Sequence, residues 1–254
     1  MSGFIKNLLA PPKCAGCGER LSIFDDSAEK AFCDNCRGAW EHAKRSVCKG
    51  CGLENVECIC KIKGVKNARV LSLIKFGHSR ECDRLIYTLK KRRNQRLFDF
   101  AADELYRRLS TEEKLTGIKL EDAIFTNVPR NTRSKNRYGF DHAQLLAASL
   151  SERTGGEYDK LILRKKGGRA QKKLGVEARK KNVKNRFVFN KKKNIEGKKV
   201  ILVDDVLTTG ATASECMSAL RENGASEVIL LVIARAGRKT RKTIKKKGEN
   251  DGAV

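Results

Sequence analysis

Val200–Thr212, VILVDDVLTTGAT, is the stretch on which the reading of this chain turns. Four apolar residues with no polar interruption suit a strand buried on both faces, as in a parallel sheet covered by helices. Two adjacent acids follow, then two apolar residues, then TTGAT opening a helical pattern that Gly224 closes. A glycine at 210 lets the main chain approach an oxyanion closely. The N–H groups of residues 208–212, the hydroxyls of Thr208, Thr209 and Thr212 and the helix N-terminus would surround such a group. Asp204 and Asp205 would stand at the strand's carboxyl end, where open α/β sheets bind ligands. There they can accept hydrogen bonds from vicinal hydroxyls. A sugar phosphate satisfies both halves of the motif.

Outward from this corner the chain alternates strand and helix patterns. Strands are expected at 70–76, 123–128, 161–163, 199–203 and 228–234, and helices around 80–91, 97–109, 139–153 and 213–223, with 111–117 as a turn. The fold class is α/β, a doubly wound and mostly parallel sheet. Eight of the ten cysteines lie before it. They form four close pairs, Cys14/Cys17, Cys33/Cys36, Cys48/Cys51 and Cys58/Cys60, a pattern for two structural Cys₄ zinc sites. Gly16, Gly18, Gly50 and Gly52 supply the tight turns. The order is read as sequential, the first four thiolates on one ion and the next four on the other, with a cross-braced arrangement (first pair with third, second with fourth) as the rival. Four thiolates leave zinc no open position, so these ions would substitute for a core, contributing about 10–16 kcal/mol as in zinc-finger peptides. Cys82 and Cys216 stand apart and read as small packing residues. The expected division is a double ribbon over 10–62, an α/β domain over 68–236 and a basic tail over 237–254.

The corner at 200–212 resembles the type I phosphoribosyltransferases, which bind phosphoribosyl pyrophosphate (PRPP) with Mg²⁺. That resemblance implies that Asp204 and Asp205 hold the ribose hydroxyls in the catalytic site. It gives the 5′-phosphate to Thr208, Thr209, Gly210, Ala211 and Thr212. A broader resemblance rests on FTNVPR at 125–130, RYGFDHAQLLA at 137–147, and Gln171, Leu174, Arg179 and Asn182. With the cysteine pairs, these residues are similar to the ComF family of competence-associated proteins. Asn127-Val-Pro-Arg departs from that family's more usual Pro-Val-Pro turn. By chain order, Pro129–Arg137 falls where the transferases place the pyrophosphate loop, with Arg130, Arg133, Lys135 and Arg137 as its cations. The stretch 164–182 takes the slot of their mobile loop, with Gly167 and Gly168 as a hinge. Where hypoxanthine–guanine transferases carry an Asp that assists the base, this chain has Thr208, which disfavours purine salvage. The ribbon would then supply the missing lid.

The chain has 254 residues and a formal net charge of +25, with 40% hydrophobic residues. That content excludes wholesale disorder. No run of 18 apolar residues predicts a membrane span. The start, MSGFIKNLLAPPKC, lacks a signal-peptide core, so a cytoplasmic protein is expected. Residues 164–199 carry a net +14 and residues 235–254 a net +6. Such segments attract polyanions, and single-stranded DNA is the candidate that the competence resemblance implies, with DNA-uptake proteins as further partners. Two functions stay open at this point. One is a PRPP- and Mg²⁺-dependent transferase acting on an unidentified acceptor. The other is a non-catalytic DNA-handling factor whose PRPP pocket is regulatory or vestigial.

Overall fold

A computed structural model describes residues 11–22, 30–62, 64–65, 68–165 and 186–236. The elements, in chain order, are α1 (Asp34–Arg45), β1 (Arg69–Phe76), α2 (Arg80–Lys91), α3 (Gln95–Thr116), β2 (Ile124–Asn127), α4 (Thr132–Tyr138), α5 (His142–Thr154), β3 (Glu157–Tyr158), β4 (Ile162–Arg164), β5 (Phe187–Phe189), β6 (Lys199–Leu207), α6 (Ala211–Arg221) and β7 (Glu227–Ala236). Five strands form one sheet in the order β1-β7-β6-β2-β3, every neighbouring pair parallel. β4 and β5 pair antiparallel as a separate ribbon.

Alternation along the strands divides the core in two. Ile201 and Val203 of β6, with Leu71, Leu73, Ile229 and Leu231, face one cluster. Val200 and Leu202, with Val228, Leu230 and Val232, face the other. Helices α2, α3 and α5 cover the first face, and α6 with the β4–β5 ribbon covers the second. Burial on both faces explains why these strands lack a polar alternation.

Local chemistry sets the helix boundaries. Side chains of Ser79, Asn94 and Asp141 cap α2, α3 and α5 by accepting from Cys82, Leu97 and Gln144 N–H. The expected turn at 111–117 is instead the last part of α3. Glu112 is buried there and pairs with Arg69 (2.5 Å) and Arg108 (3.0 Å), so helix geometry brings a distant strand's charge into play. Gly117, at φ +66°, then ends the helix. The cysteine-rich segment shares the first core: Trp40 and Phe32 meet the ring of Phe100 of α3 edge to face, and Trp40 Nε1 donates to buried Glu104 at 2.9 Å. Among the described residues no helix is long and apolar enough to cross a membrane.

Candidate functional site

β6 runs beyond Val203 to Leu207, so both acids lie within the strand, at its carboxyl end. Gly210, at φ +78°, turns the chain into α6, and its carbonyl accepts from Ser214 N–H at 2.8 Å. Thr208, Thr209, Ala211 and Thr212 are exposed around it. Asp205 is buried with both oxygens engaged. Oδ2 bonds His142 Nε2 at the start of α5, and Oδ1 lies 3.2 Å from Lys90 Nζ in the last turn of α2. Burial alone would raise the Asp205 carboxyl; His142 and Lys90 outweigh it and hold it below its ordinary value. Asp204 is the opposite case. Burial and the neighbouring Asp205 charge push it well up, while its Oδ1 accepts from Asp205 N–H at 2.9 Å. The two adjacent carboxyls are thus driven in opposite directions.

The four cations expected beside this corner divide. Arg130 is committed: its Nη2 donates to the Lys90 carbonyl (2.7 Å), its Nη1 to the Phe140 carbonyl (3.3 Å), and the guanidinium lies 4.8 Å from the Tyr138 ring centroid. Arg133, Lys135 and Arg137 are exposed on α4. The expected loop is therefore helical from Thr132, because Asn131 accepts from Ser134 N–H at 2.7 Å and starts a turn there. The Arg130–Lys90 bond brings the α2 end alongside, where Lys91, Arg92 and Arg93 are exposed. The stretch 166–185, with the Gly167-Gly168 hinge, Gln171, Leu174, Arg179 and Asn182, and the tail 237–254 lie outside the described residues.

The eight paired cysteines form two groups. Cys14, Cys17, Cys33 and Cys36 converge, and so do Cys48, Cys51, Cys58 and Cys60, with all sulfurs in a group within 4.8 Å of one another. Sequential pairing is what the geometry supports, and the cross-braced arrangement is excluded. The two knuckles repeat each other. Cys14 and Cys48 N–H donate to the Glu19 and Leu53 carbonyls, and Gly18 and Gly52 donate back to Cys14 and Cys48. A Cβ on Gly16 would meet Cys36 Sγ at 2.7 Å, and one on Gly50 would meet Cys60 Sγ at 2.8 Å. Against burial, which pushes it up, the N–H groups of Cys33, Cys17 and Gly16 bring Cys14 to about 7. Against the same effect, bonds from Cys58, from Gly50 and Cys51 N–H and from Lys75 bring Cys48 to about 5. Four convergent thiols of this kind suit a closed, tetrahedral zinc site. Cys82 and Cys216 are buried, apart from both groups.

Several contributors escape sequence reasoning. Val65 packs on the corner so closely that a Cβ on Gly210 would meet its Cγ2 at 2.5 Å, and one on Gly64 would meet the Thr209 carbonyl at 1.8 Å. Lys90, His142 and Arg235 also converge on the site or its edge. Of these, Arg235 carried a signal as a charge ending the wholly apolar run Val228–Ala234, and His142 one as part of RYGFDHAQLLA, whereas Lys90 carried none.

Residues 137–251 match the family described as phosphoribosyl transferase domain, and residues 5–67 match the double zinc ribbon domain. "DNA utilization protein YhgH" of Salmonella typhimurium is 32% identical over 152 residues, covering 59% of this chain and 66% of that protein. "Competence protein F" of Haemophilus influenzae is 28% identical over 222 residues, covering 80% of this chain and 96% of that protein. Among solved structures, the glutamine PRPP amidotransferase of B. subtilis aligns over 52% of this chain and 26% of its own, at 26% identity and a TM-score of 0.35.

Proposed function

The chain belongs to the ComF family, a double zinc ribbon joined to a phosphoribosyl transferase domain, and on that premise we propose that it binds PRPP with Mg²⁺ at the Asp204–Thr212 corner. The observation that carries the reading is the acid pair ending β6, followed at once by left-handed Gly210 and the start of α6. Thr208–Thr212 take the 5′-phosphate with main-chain N–H groups and hydroxyls. Asp204 and Asp205 take the ribose hydroxyls, Asp204 with its less committed oxygens, and Asp205 also steers Lys90 toward the pocket. Arg133, Lys135 and Arg137 face the pyrophosphate, and Arg130 orders their turn. Mg²⁺, when bound, neutralises phosphate charge. The protein's own contribution to displacement at the anomeric carbon is positioning and charge stabilisation. Thr208 in place of a carboxylate favours an acceptor other than a purine base. Zinc fills both thiolate groups as a structural ion, and the Gly64–Val65 segment covers the loop as a lid. We keep the division at 10–62, 68–236 and 237–254 and a cytoplasmic setting as parts of this proposal.

A second reading, a DNA-handling factor whose PRPP pocket regulates rather than turns over, is favoured by one observation. Lys91, Arg92 and Arg93 at the end of α2 and Arg133, Lys135 and Arg137 on α4 are exposed, and the Arg130–Lys90 bond ties the two segments into one basic flank. Such a flank suits the backbone of single-stranded DNA, consistent with the names of the DNA-utilization and competence relatives. Pyrophosphate release from PRPP, assayed with Mg²⁺ and a panel of acceptors, separates the two. Release dependent on an acceptor supports the transferase. PRPP binding without release under any acceptor, together with salt-dependent DNA binding, supports the second reading.

A further inference from the structure

Arg235 is the penultimate residue of β7 and only 4% exposed, in register with Lys75 on β1 and Leu207 on β6. A buried guanidinium needs a counter-charge. Among the described residues it pairs with no carboxylate. Instead Nη1 donates to the Cys60 carbonyl (3.5 Å) and Nη2 faces Cys48 Sγ (3.9 Å). Zinc on four thiolates carries a net charge of about −2, so the second centre supplies the anion that this guanidinium lacks. The first centre differs. Its nearby cation, Arg84, is exposed and donates to the Cys17 carbonyl at 2.5 Å.

Two links run from the second centre to the corner at 208–212. Leu207, the register partner of Arg235, directly precedes Thr208. From Cys60 the chain reaches the Ile62–Val65 turn within five residues, and that turn leaves no room for a Cβ at Gly64 or Gly210. We propose that Arg235 is a positioning residue that ties the second zinc–thiolate centre to the phosphate loop, so that metal in this centre, and not in the first, sets the loop's order and its affinity for PRPP. The affinity part rests on the reading of Thr208–Thr212 as a phosphate loop; the order part does not.

The test uses the full zinc-loaded chain with Arg235→Met, Arg235→Lys and Arg84→Met. Three quantities are measured: zinc release to excess chelator, amide hydrogen exchange over residues 207–213, and calorimetric PRPP affinity with Mg²⁺. In Arg235→Met, one of two zinc ions should leave about tenfold faster or more, as for lost outer-shell partners. Exchange at 207–213 should quicken and PRPP affinity fall by about tenfold. Arg235→Lys should restore most of each, and Arg84→Met should leave 207–213 unchanged. Should Arg235→Met not fold, stepwise zinc withdrawal from the unaltered chain gives the same answer, because loop protection must fall with the ion of the second centre. Unchanged zinc release in Arg235→Met, or loss of that zinc with loop exchange unmoved, overturns the proposal. If the loop responds to zinc but the unaltered chain does not bind PRPP, the phosphate reading fails and the coupling stands.

Discussion

Replacing Gly210 by Ala strains the corner in two separable ways. The first is conformational: at φ +78° an L-residue pays about 1–2 kcal/mol for the left-handed backbone. The second is steric: the new Cβ would lie 2.5 Å from Val65 Cγ2, and overpacking of this kind costs about 1–3 kcal/mol. Gly210→Ala should therefore lose about 2–5 kcal/mol in urea unfolding of the zinc-loaded chain. Val65→Ala removes the colliding methyl and, alone, costs about 2 kcal/mol for a buried Val. In the double variant the clash disappears and only the backbone strain and the lost Val burial remain. The double-mutant cycle should then show a favourable coupling of about 1–3 kcal/mol, well above the spread of independent sites. Gly64→Ala is the contrast. Its Cβ would meet the Thr209 carbonyl at 1.8 Å, which no side-chain truncation relieves, so Val65→Ala should not rescue it. Additivity of Gly210→Ala and Val65→Ala within about 0.5 kcal/mol would refute the reasoning that the Val65 segment sits on the phosphate corner.

The zinc-loaded chain should carry two zinc ions by elemental analysis, and Cys36→Ser should unfold it more severely than Cys51→Ser, since the first centre shares the core with Trp40; equal losses in thermal melts would contradict this. Asp204→Asn should raise the unfolding midpoint of the ligand-free protein at pH 8. Burial and Asp205 raise the Asp204 carboxyl above its unfolded value, so the native protein loses stability as pH rises from the ordinary carboxylate range through that raised value. The advantage of the Asn variant should shrink toward pH 4, and an advantage that grows on acidification would reverse the sign. The triple variant Arg133→Ala, Arg137→Ala, Lys135→Ala should flatten the slope of log affinity against log salt for single-stranded DNA by about 2. An unaltered slope would place DNA elsewhere on the protein.

The sheet strands were legible because burial on both faces leaves an apolar run that needs no partner to be recognised, as in Val200–Val203 and Val228–Ala234. The corner was legible for a related reason: acid pair, glycine and threonines are contiguous, so local chemistry specifies it. What escaped depends on residues far apart in the chain. The last turns of α3 look polar, but Glu112 is buried against Arg69, 43 positions earlier. β5 is three residues long and exists through its pairing with β4. Lys90 and His142 acquire meaning only when α2 and α5 deliver them to Asp205. The cysteine spacing pointed to sequential pairing with a cross-braced rival, and the folded knuckles bear out the sequential one.

Calorimetric titration of the zinc-loaded chain with PRPP, with and without Mg²⁺, bears most directly on the central claim. Saturable one-site binding that strengthens with Mg²⁺ and vanishes in Asp204→Asn, Asp205→Asn is the predicted result. No heat in the unaltered chain, or binding that survives both substitutions, would contradict it.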